Sequence, residues 1–159
     1  MTTVSVVDLE REFGLDGSGL STSCKQNYEA DRAKNQIHKG YEKIVVMVGL
    51  KYRLVSAFKF ADESICHDLP YFVFLLNETV KRYSRVDLVC GDSGFLSGAN
   101  CDLVVGVGGV SRFYPKRGCC LRLKGSKAWR VVFEGVVADL QLWFEDYLGV
   151  LMWRVVFRF

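Results

Sequence analysis

The sequence has few of the residue arrangements that hold a metal or a disulfide framework. Only two histidines, His38 and His67, accompany six cysteines, and no two cysteines are spaced as C-x-x-C. Because zinc sites draw their ligands from closely spaced Cys and His residues, no zinc site is expected. Several cysteines stand in apolar runs, such as Cys90 in the run 86–90. They are predicted to be buried, reduced thiols of a cytosolic protein.

Long apolar runs and a strong charge of one sign are also missing. No uninterrupted apolar stretch approaches the roughly 20 residues that a membrane helix needs. Residues 1–12 mix charges into a short apolar run and are not expected to form a signal peptide. The net charge of +3 is compatible with a polyanionic partner but does not require one. With 159 residues, 50% hydrophobic and 25% charged, the chain is expected to be one soluble cytoplasmic domain with no membrane partner.

Hydrophobic periodicity predicts a mixed α/β domain. The expected order is three strands, a helix, a strand, a short helix or loop, a strand, and a long helix over 128–147. The first strand should end near Asp16 in a glycine-rich turn, and the runs 43–50 and 52–60 should form a hairpin. Asp68 should cap the first long helix. A sheet that begins with a hairpin and continues with αβ units is a layered α/β architecture.

Two aspartates stand where chemistry is plausible. Asp16 lies in Leu-Asp-Gly-Ser-Gly and Asp92 in Cys-Gly-Asp-Ser-Gly-Phe, each after a predicted strand. Carboxylates brought together at the end of a sheet repel one another unless a cation neutralises them, and Mg²⁺ or Mn²⁺ prefers such oxygen ligands. Two ions held there would activate a water and stabilise a leaving oxygen in phosphoryl transfer. The alternative is two ordinary turn aspartates, because Asp-Gly and Asp-Ser-Gly are common turn sequences.

A basic stretch over 112–130 contains no Asp or Glu and carries interleaved aromatic residues. Such a cluster can neutralise DNA phosphates without reading the base sequence. A solvated basic surface explains the same composition equally well. The candidate DNA-binding residues are Arg112, Lys116, Arg117, Arg122, Lys124, Lys127 and Arg130.

The ordered set of these segments resembles the catalytic core of DDE-type insertion-sequence transposases. In that family the first acid stands in Asp-x-Ser/Thr-Gly, similar to residues 16–19, and the second in Asp-Ala/Ser-Gly-Tyr/Phe, similar to residues 92–95. A Tyr and a Lys before a strand, similar to residues 41–44, and a helix opened as at 68–70 occur in the same order. A basic segment after a further strand is similar to residues 113–116. The resemblance covers about residues 16–147.

The resemblance implies an RNase H-like mixed sheet with flanking helices, which residues 1–147 would form as a partial domain. It implies Asp16 and Asp92 as catalytic ligands of Mg²⁺ or Mn²⁺, and DNA at insertion-sequence ends as the substrate. A nucleoid-associated prokaryotic protein is expected, and a homo-oligomer is left open. Two alternatives remain: a non-catalytic DNA-binding remnant that interferes with full-length transposase, and an unrelated cytosolic α/β protein.

The third acid of the family is missing from its expected place. That acid is a Glu on a late helix, a few residues after a Tyr that Tyr147 resembles, but residues 148–159 contain neither Asp nor Glu. Glu145 is the least unsuitable substitute, although a solvated helix face explains it better. The expected fragment is therefore inactive alone.

The tail 148–159 is predicted to be translated out of frame. Met152 and Trp153 are each encoded by a single codon, ATG and TGG. Read from one nucleotide earlier, this stretch gives a codon that ends in AT, followed by GTG, which encodes Val. If the codon of Arg154 is AGA or AGG, the next codon is GAG, and the shifted frame spells the family's Val-Glu. We expect sequencing of the coding DNA to find AGA or AGG at Arg154. A CGN codon would remove the Glu and contradict this prediction; programmed frameshifting that restores a longer product is the alternative origin.

Overall fold

The computed structural model describes residues 9–21, 41–61, 67–115 and 125–138, together with three helical residues further on, Gln141, Trp143 and Tyr147. The chain order of elements agrees with the order predicted from periodicity. The elements are β1 (Glu12–Ser21), β2 (Tyr41–Gly49), β3 (Val55–Phe60), α1 (Tyr71–Arg82), β4 (Leu88–Gly91), α2 (Gly98–Gly106), β5 (Val110–Phe113) and α3 (Lys127–Ala138).

The five strands form one mixed sheet in the order β3-β2-β1-β4-β5. The first three strands are antiparallel neighbours, whereas β4 runs parallel to β1 and β5 runs parallel to β4. Parallel neighbours need a crossover between them, and α1 and α2 supply the crossovers before β4 and β5. The predicted mixed α/β class is therefore confirmed.

The described helices build the core against one face of the sheet. α1 packs on β2 and β3, α2 packs on β5, and α3 packs on α2 and β5. Because side chains alternate along a strand, every second sheet residue enters this core. No helix within the described ranges is long and apolar enough to span a membrane. The fully buried core side chains include Phe13, Leu15, Val45, Met47, Phe72, Leu75, Val89 and Phe113.

β1 is longer than predicted. The strand was expected to end near Asp16, but it continues to Ser21 because β2 pairs with it residue by residue as far as Tyr41. Only the pairing with β4 ends early, at Leu15 and Gly91. Asp16 therefore lies inside a strand and, at the same time, at the end of a parallel ladder.

The predicted cap of α1 was wrong. The helix begins at Tyr71 after Pro70, and no side chain caps its first turn. Asp68 instead forms an ion pair with Lys43 of β2, with Oδ1 2.5 Å from Nζ. Only the backbone carbonyl of Asp68 serves the helix entry, where it accepts the N–H of Tyr71.

Two apolar residues that stand at helical spacing are exposed rather than buried. Val80 of α1 is 40% exposed and Val131 of α3 is 43% exposed. In α1 the buried position next to Val80 is Thr79, whose hydroxyl lies 2.8 Å from the hydroxyl of Ser56 on β3. A threonine can take a core position when a buried partner satisfies its hydroxyl.

The cysteines that the structure describes behave as predicted. Cys90 and Cys101 are free and buried, while Cys24, Cys66, Cys119 and Cys120 lie outside the described residues. Burial raises the pKa of the Cys101 thiol, so this thiol stays protonated at neutral pH and is a poor nucleophile.

A buried carboxylate fastens the start of β1 to the β2–β3 turn. Glu10 is 1% exposed, and its Oε2 accepts the backbone N–H groups of Lys51 at 3.1 Å and Tyr52 at 2.9 Å. Oε1 accepts the N–H of Arg11 at 3.2 Å. A Cβ on Gly49 would stand 2.5 Å from Oε2, so this position has room only for glycine. The buried charge is thus satisfied by backbone donors.

We expect Glu10→Gln to lower the free energy of unfolding by about 2 kcal/mol, because the new amide group points donors at backbone donors and loses the charge-assisted bonds. Urea denaturation measures the loss. Glu12→Gln is the matched control, since Glu12 is exposed and its loss should stay within about 0.5 kcal/mol. Equal losses in the two variants would contradict the role of Glu10 in fastening β1 to the β2–β3 turn.

Candidate functional site

The two predicted aspartates occupy equivalent positions on neighbouring parallel strands. The β1–β4 ladder ends with the pair Leu15 and Gly91. Asp16 follows Leu15, and Asp92 follows Gly91. Neighbouring strands lie about 4.8 Å apart, so the two backbones are adjacent at this point. Both residues are half-buried. The geometry thus places two acids, far apart in sequence, at one end of one ladder.

The Asp16 side chain stands on the face of the sheet opposite α1. Phe13 and Leu15 enter the helix-side core, and side-chain alternation along β1 turns Asp16 to the other face. The adjacent strand supports this assignment, because a Cβ on Gly91 would meet core residues Phe113 and Leu15. A ligand of Asp16 would therefore approach from the face that α1 does not cover.

The backbone around Asp16 directs its carboxylate toward β4. The Leu50 N–H donates to the Glu12 carbonyl. Because hydrogen-bonded residues alternate along an antiparallel ladder, the backbone groups of the even-numbered residues of β1 bond to β2. The N–H of Gly17 therefore points to the β4 side, where β4 has already ended. It donates to Asp16 Oδ1 at 2.9 Å. This bond holds one carboxylate oxygen over the gap between the two strands.

Asp92 opens a tight turn that leads into α2. Its Oδ1 accepts the N–H of Gly94 at 2.8 Å, and its carbonyl accepts the N–H of Phe95 at 3.2 Å. These bonds are those of an ordinary Asx turn, the local role that Asp-Ser-Gly sequences favour. They also fix the orientation of the carboxylate. A structural role and a ligand role for Asp92 are compatible, since an ionised carboxylate has about four acceptor sites.

The arrangement suits a hard divalent cation in its donor chemistry. Two carboxylates on adjacent strands would supply anionic oxygen ligands, and such groups repel one another without a cation when they lie close together. Among the described residues no third His, Cys, Asp or Glu joins a metal-binding group. The described part of the chain thus holds two of the oxygen-donating side chains that such a site uses.

Tyr147 lies beside the residue that precedes Asp92. The Gly91 carbonyl accepts the N–H of Tyr114 at 3.0 Å and the hydroxyl of Tyr147 at 3.4 Å. The Tyr147 ring stacks on Trp143 with ring centroids 5.1 Å apart, and the Tyr114 ring centroid lies 5.3 Å from that of Tyr147. The contact among these aromatic residues was not predicted, because no local pattern reveals a contact between the end of β5 and a distant helix.

The structure describes three of the seven predicted DNA-binding residues and places them in two layers. Arg112 on β5 pairs in register with Cys90 and alternates with the core residue Phe113, so it faces the same side of the sheet as Asp16. Lys127 and Arg130 are exposed on α3, in the helix layer. The remaining predicted residues, like the tail 148–159 and Glu145, lie outside the described residues: Lys116, Arg117, Arg122 and Lys124.

No protein-family model matches the chain, and no curated protein or solved structure matches it either. The chemical interpretation of the site therefore depends on the chain's own residues. Its main support is the shared position of Asp16 and Asp92 at the end of the β1–β4 ladder.

Proposed function

We propose that the chain is a fragment of a DDE-type transposase catalytic domain, with an RNase H-like sheet that holds a divalent cation at Asp16 and Asp92. The observation that carries the proposal is the position of both aspartates one residue beyond the last pair of two adjacent parallel strands. An antiparallel unit of three strands followed by two parallel strands agrees with the mixed sheet that the resemblance implies. Flanking helices on the sheet agree as well.

The chain's own residues would orient the ligands and attract the substrate. The Gly17 N–H and the Gly94 N–H each hold one oxygen of an aspartate, so the carboxylates are pre-oriented for a cation. Mg²⁺ or Mn²⁺, when bound, supplies an activated water and stabilises the leaving oxygen. Arg112 offers a positive charge on the same sheet face, where a DNA phosphate would approach Asp16.

The second candidate function is a DNA-binding module without turnover. Its support is the lack of a third metal-ligating acid beside Asp16 and Asp92 among the described residues. In this function the exposed cations Lys127 and Arg130 and the half-buried Arg112 would bind the DNA backbone. Both functions predict salt-sensitive DNA binding, and they differ in whether DNA is cleaved.

Cation binding tests the acidic pair directly. We expect Mg²⁺ or Mn²⁺ to raise the thermal unfolding temperature, since a ligand at about 100 times its Kd stabilises the folded state by about 2.7 kcal/mol. Asp92→Asn should abolish the rise because it removes one anionic ligand. Asp102→Asn is the control, since Asp102 is an exposed residue of α2. An equal response of wild type and Asp92→Asn would contradict the cation site.

Strand transfer should be undetectable with the purified chain, because the third carboxylate is missing from its expected place. The measurement is an assay of cleavage and joining on DNA with insertion-sequence ends, with Mg²⁺ or Mn²⁺ present. Cleavage that requires Mg²⁺ and is lost in Asp92→Ala would overturn the expected inactivity and show that another residue supplies the missing ligand.

Arg112 should contribute to DNA affinity through a phosphate. We expect Arg112→Gln to weaken binding to any DNA sequence and to reduce the slope of log K against log salt by about one. Arg53→Gln is the control, since Arg53 is exposed in the β2–β3 turn, beside the start of β1. Thermal unfolding of both variants checks that they remain folded. A loss of affinity confined to one DNA sequence would contradict a phosphate contact.

A further inference from the structure

The end of β1 that carries Asp16 lacks two ordinary sources of rigidity. Among the residues that the structure describes, β2 alone pairs with the strand beyond Leu15, because the ladder with β4 has ended. The residue after Asp16 is Gly17, which brings no side chain to pack against the helices. Glycine also loses more conformational freedom than other residues when it is fixed in a strand. Left alone, this segment would hold the Asp16 carboxylate poorly.

The carboxylate of Asp68 occupies the space that a side chain of Gly17 would fill. A Cβ on Gly17 would stand 3.0 Å from Asp68 Oδ2 and 3.3 Å from Oδ1. Since Gly17 follows Asp16 in a strand, this contact lies on the helix side of β1, opposite the Asp16 side chain. Asp68 therefore packs directly against the back of the peptide whose N–H bonds to Asp16.

Lys43 holds Asp68 in that place by charge. Asp68 Oδ1 is buried and accepts no aligned hydrogen bond from the part of the chain that the structure describes, but it lies 2.5 Å from Lys43 Nζ. The side chain of Asp68 is 19% exposed and that of Lys43 is 35% exposed. A pair this far removed from solvent is screened less than a surface pair. The ion pair also connects the segment before α1 to β2, close to Gly17.

We propose that Asp68 is a positioning residue for Asp16. Fixed by Lys43, its carboxylate supports Gly17 from the helix side and so keeps the Gly17 N–H aimed at the Asp16 carboxylate. The functional meaning of this support rests on the proposed cation site, whereas the support itself is measurable without any cation. Asp68 acts through Gly17 and does not belong to the group that would bind the ion.

Amide hydrogen exchange of the ¹⁵N-labelled chain tests the support. In Asp68→Asn, which keeps the size of the side chain and removes its charge, we expect the Gly17 amide to exchange about tenfold faster. The Gly94 amide is an internal control, because it makes the same kind of bond to Asp92, whereas the Asp68 carboxylate lies against Gly17. Its rate should change less than about twofold. Lys43→Gln should reproduce the effect and serves if Asp68→Asn does not fold.

A Gly17 amide that exchanges at the wild-type rate in both variants would overturn the proposal. Equal acceleration at Gly17 and Gly94 would also overturn it, since it would indicate general loss of stability.

Mn²⁺ titration of the same proteins adds the functional readout. Asp68→Asn should weaken Mn²⁺ binding by about threefold or more, because it loosens Asp16 and removes a negative charge nearby. Lys43→Gln should weaken it less, since it loosens Asp16 but removes a positive charge. Stronger Mn²⁺ binding in Asp68→Asn would count against the proposal. If the wild-type chain binds no Mn²⁺, the proposed function fails, and the Gly17 exchange rates still decide the positioning role.

Discussion

β1 has two neighbours of unequal length, and the site depends on that inequality. β2 bonds to β1 from Phe13 to Ser21, whereas β4 bonds to it only as far as Leu15. Beyond Leu15 the Gly17 N–H on the β4 side of β1 bonds to Asp16 Oδ1, and the chain after β4 enters a turn at Asp92. A longer β4 would pair with Gly17 and compete for the N–H that now bonds to Asp16. The early end of one ladder therefore leaves this N–H available to the Asp16 carboxylate.

The same stretch of β1 serves different purposes on its two faces. On the helix side, Phe13 and Leu15 enter the core, and Gly17 leaves a space that Asp68 occupies. On the other side, Asp16 stands where a ligand could approach. Alternation along the strand thus separates the packing residues from the candidate chemical residue by one position. A one-residue slip of the strand would exchange the two sets.

The sequence predicted the order of the elements because each has a local pattern of apolar residues. It predicted poorly what depends on distant partners. The extent of β1 beyond Asp16 follows from its pairing with β2 as far as Tyr41. Asp68 does not cap α1, because its side chain forms an ion pair with Lys43. Glu10 is a charged residue of a type usually found at the surface, but in the fold the turn at Lys51 and Tyr52 supplies it with N–H donors. The two aspartates were identified by their segments, but their adjacency required the register of β1 and β4.

The hydrogen bonds of the Glu10 carboxylate limit how far the polypeptide can be shortened at its N-terminal side. Its two oxygens gather donors from the residues after it and from the hairpin turn, and the Leu50 N–H bonds to the Glu12 carbonyl in the same region. A deletion that included Glu10 would leave the hairpin tip with unsatisfied donors. An N-terminal truncation that keeps this closure must therefore retain Glu10, ahead of the first strand itself.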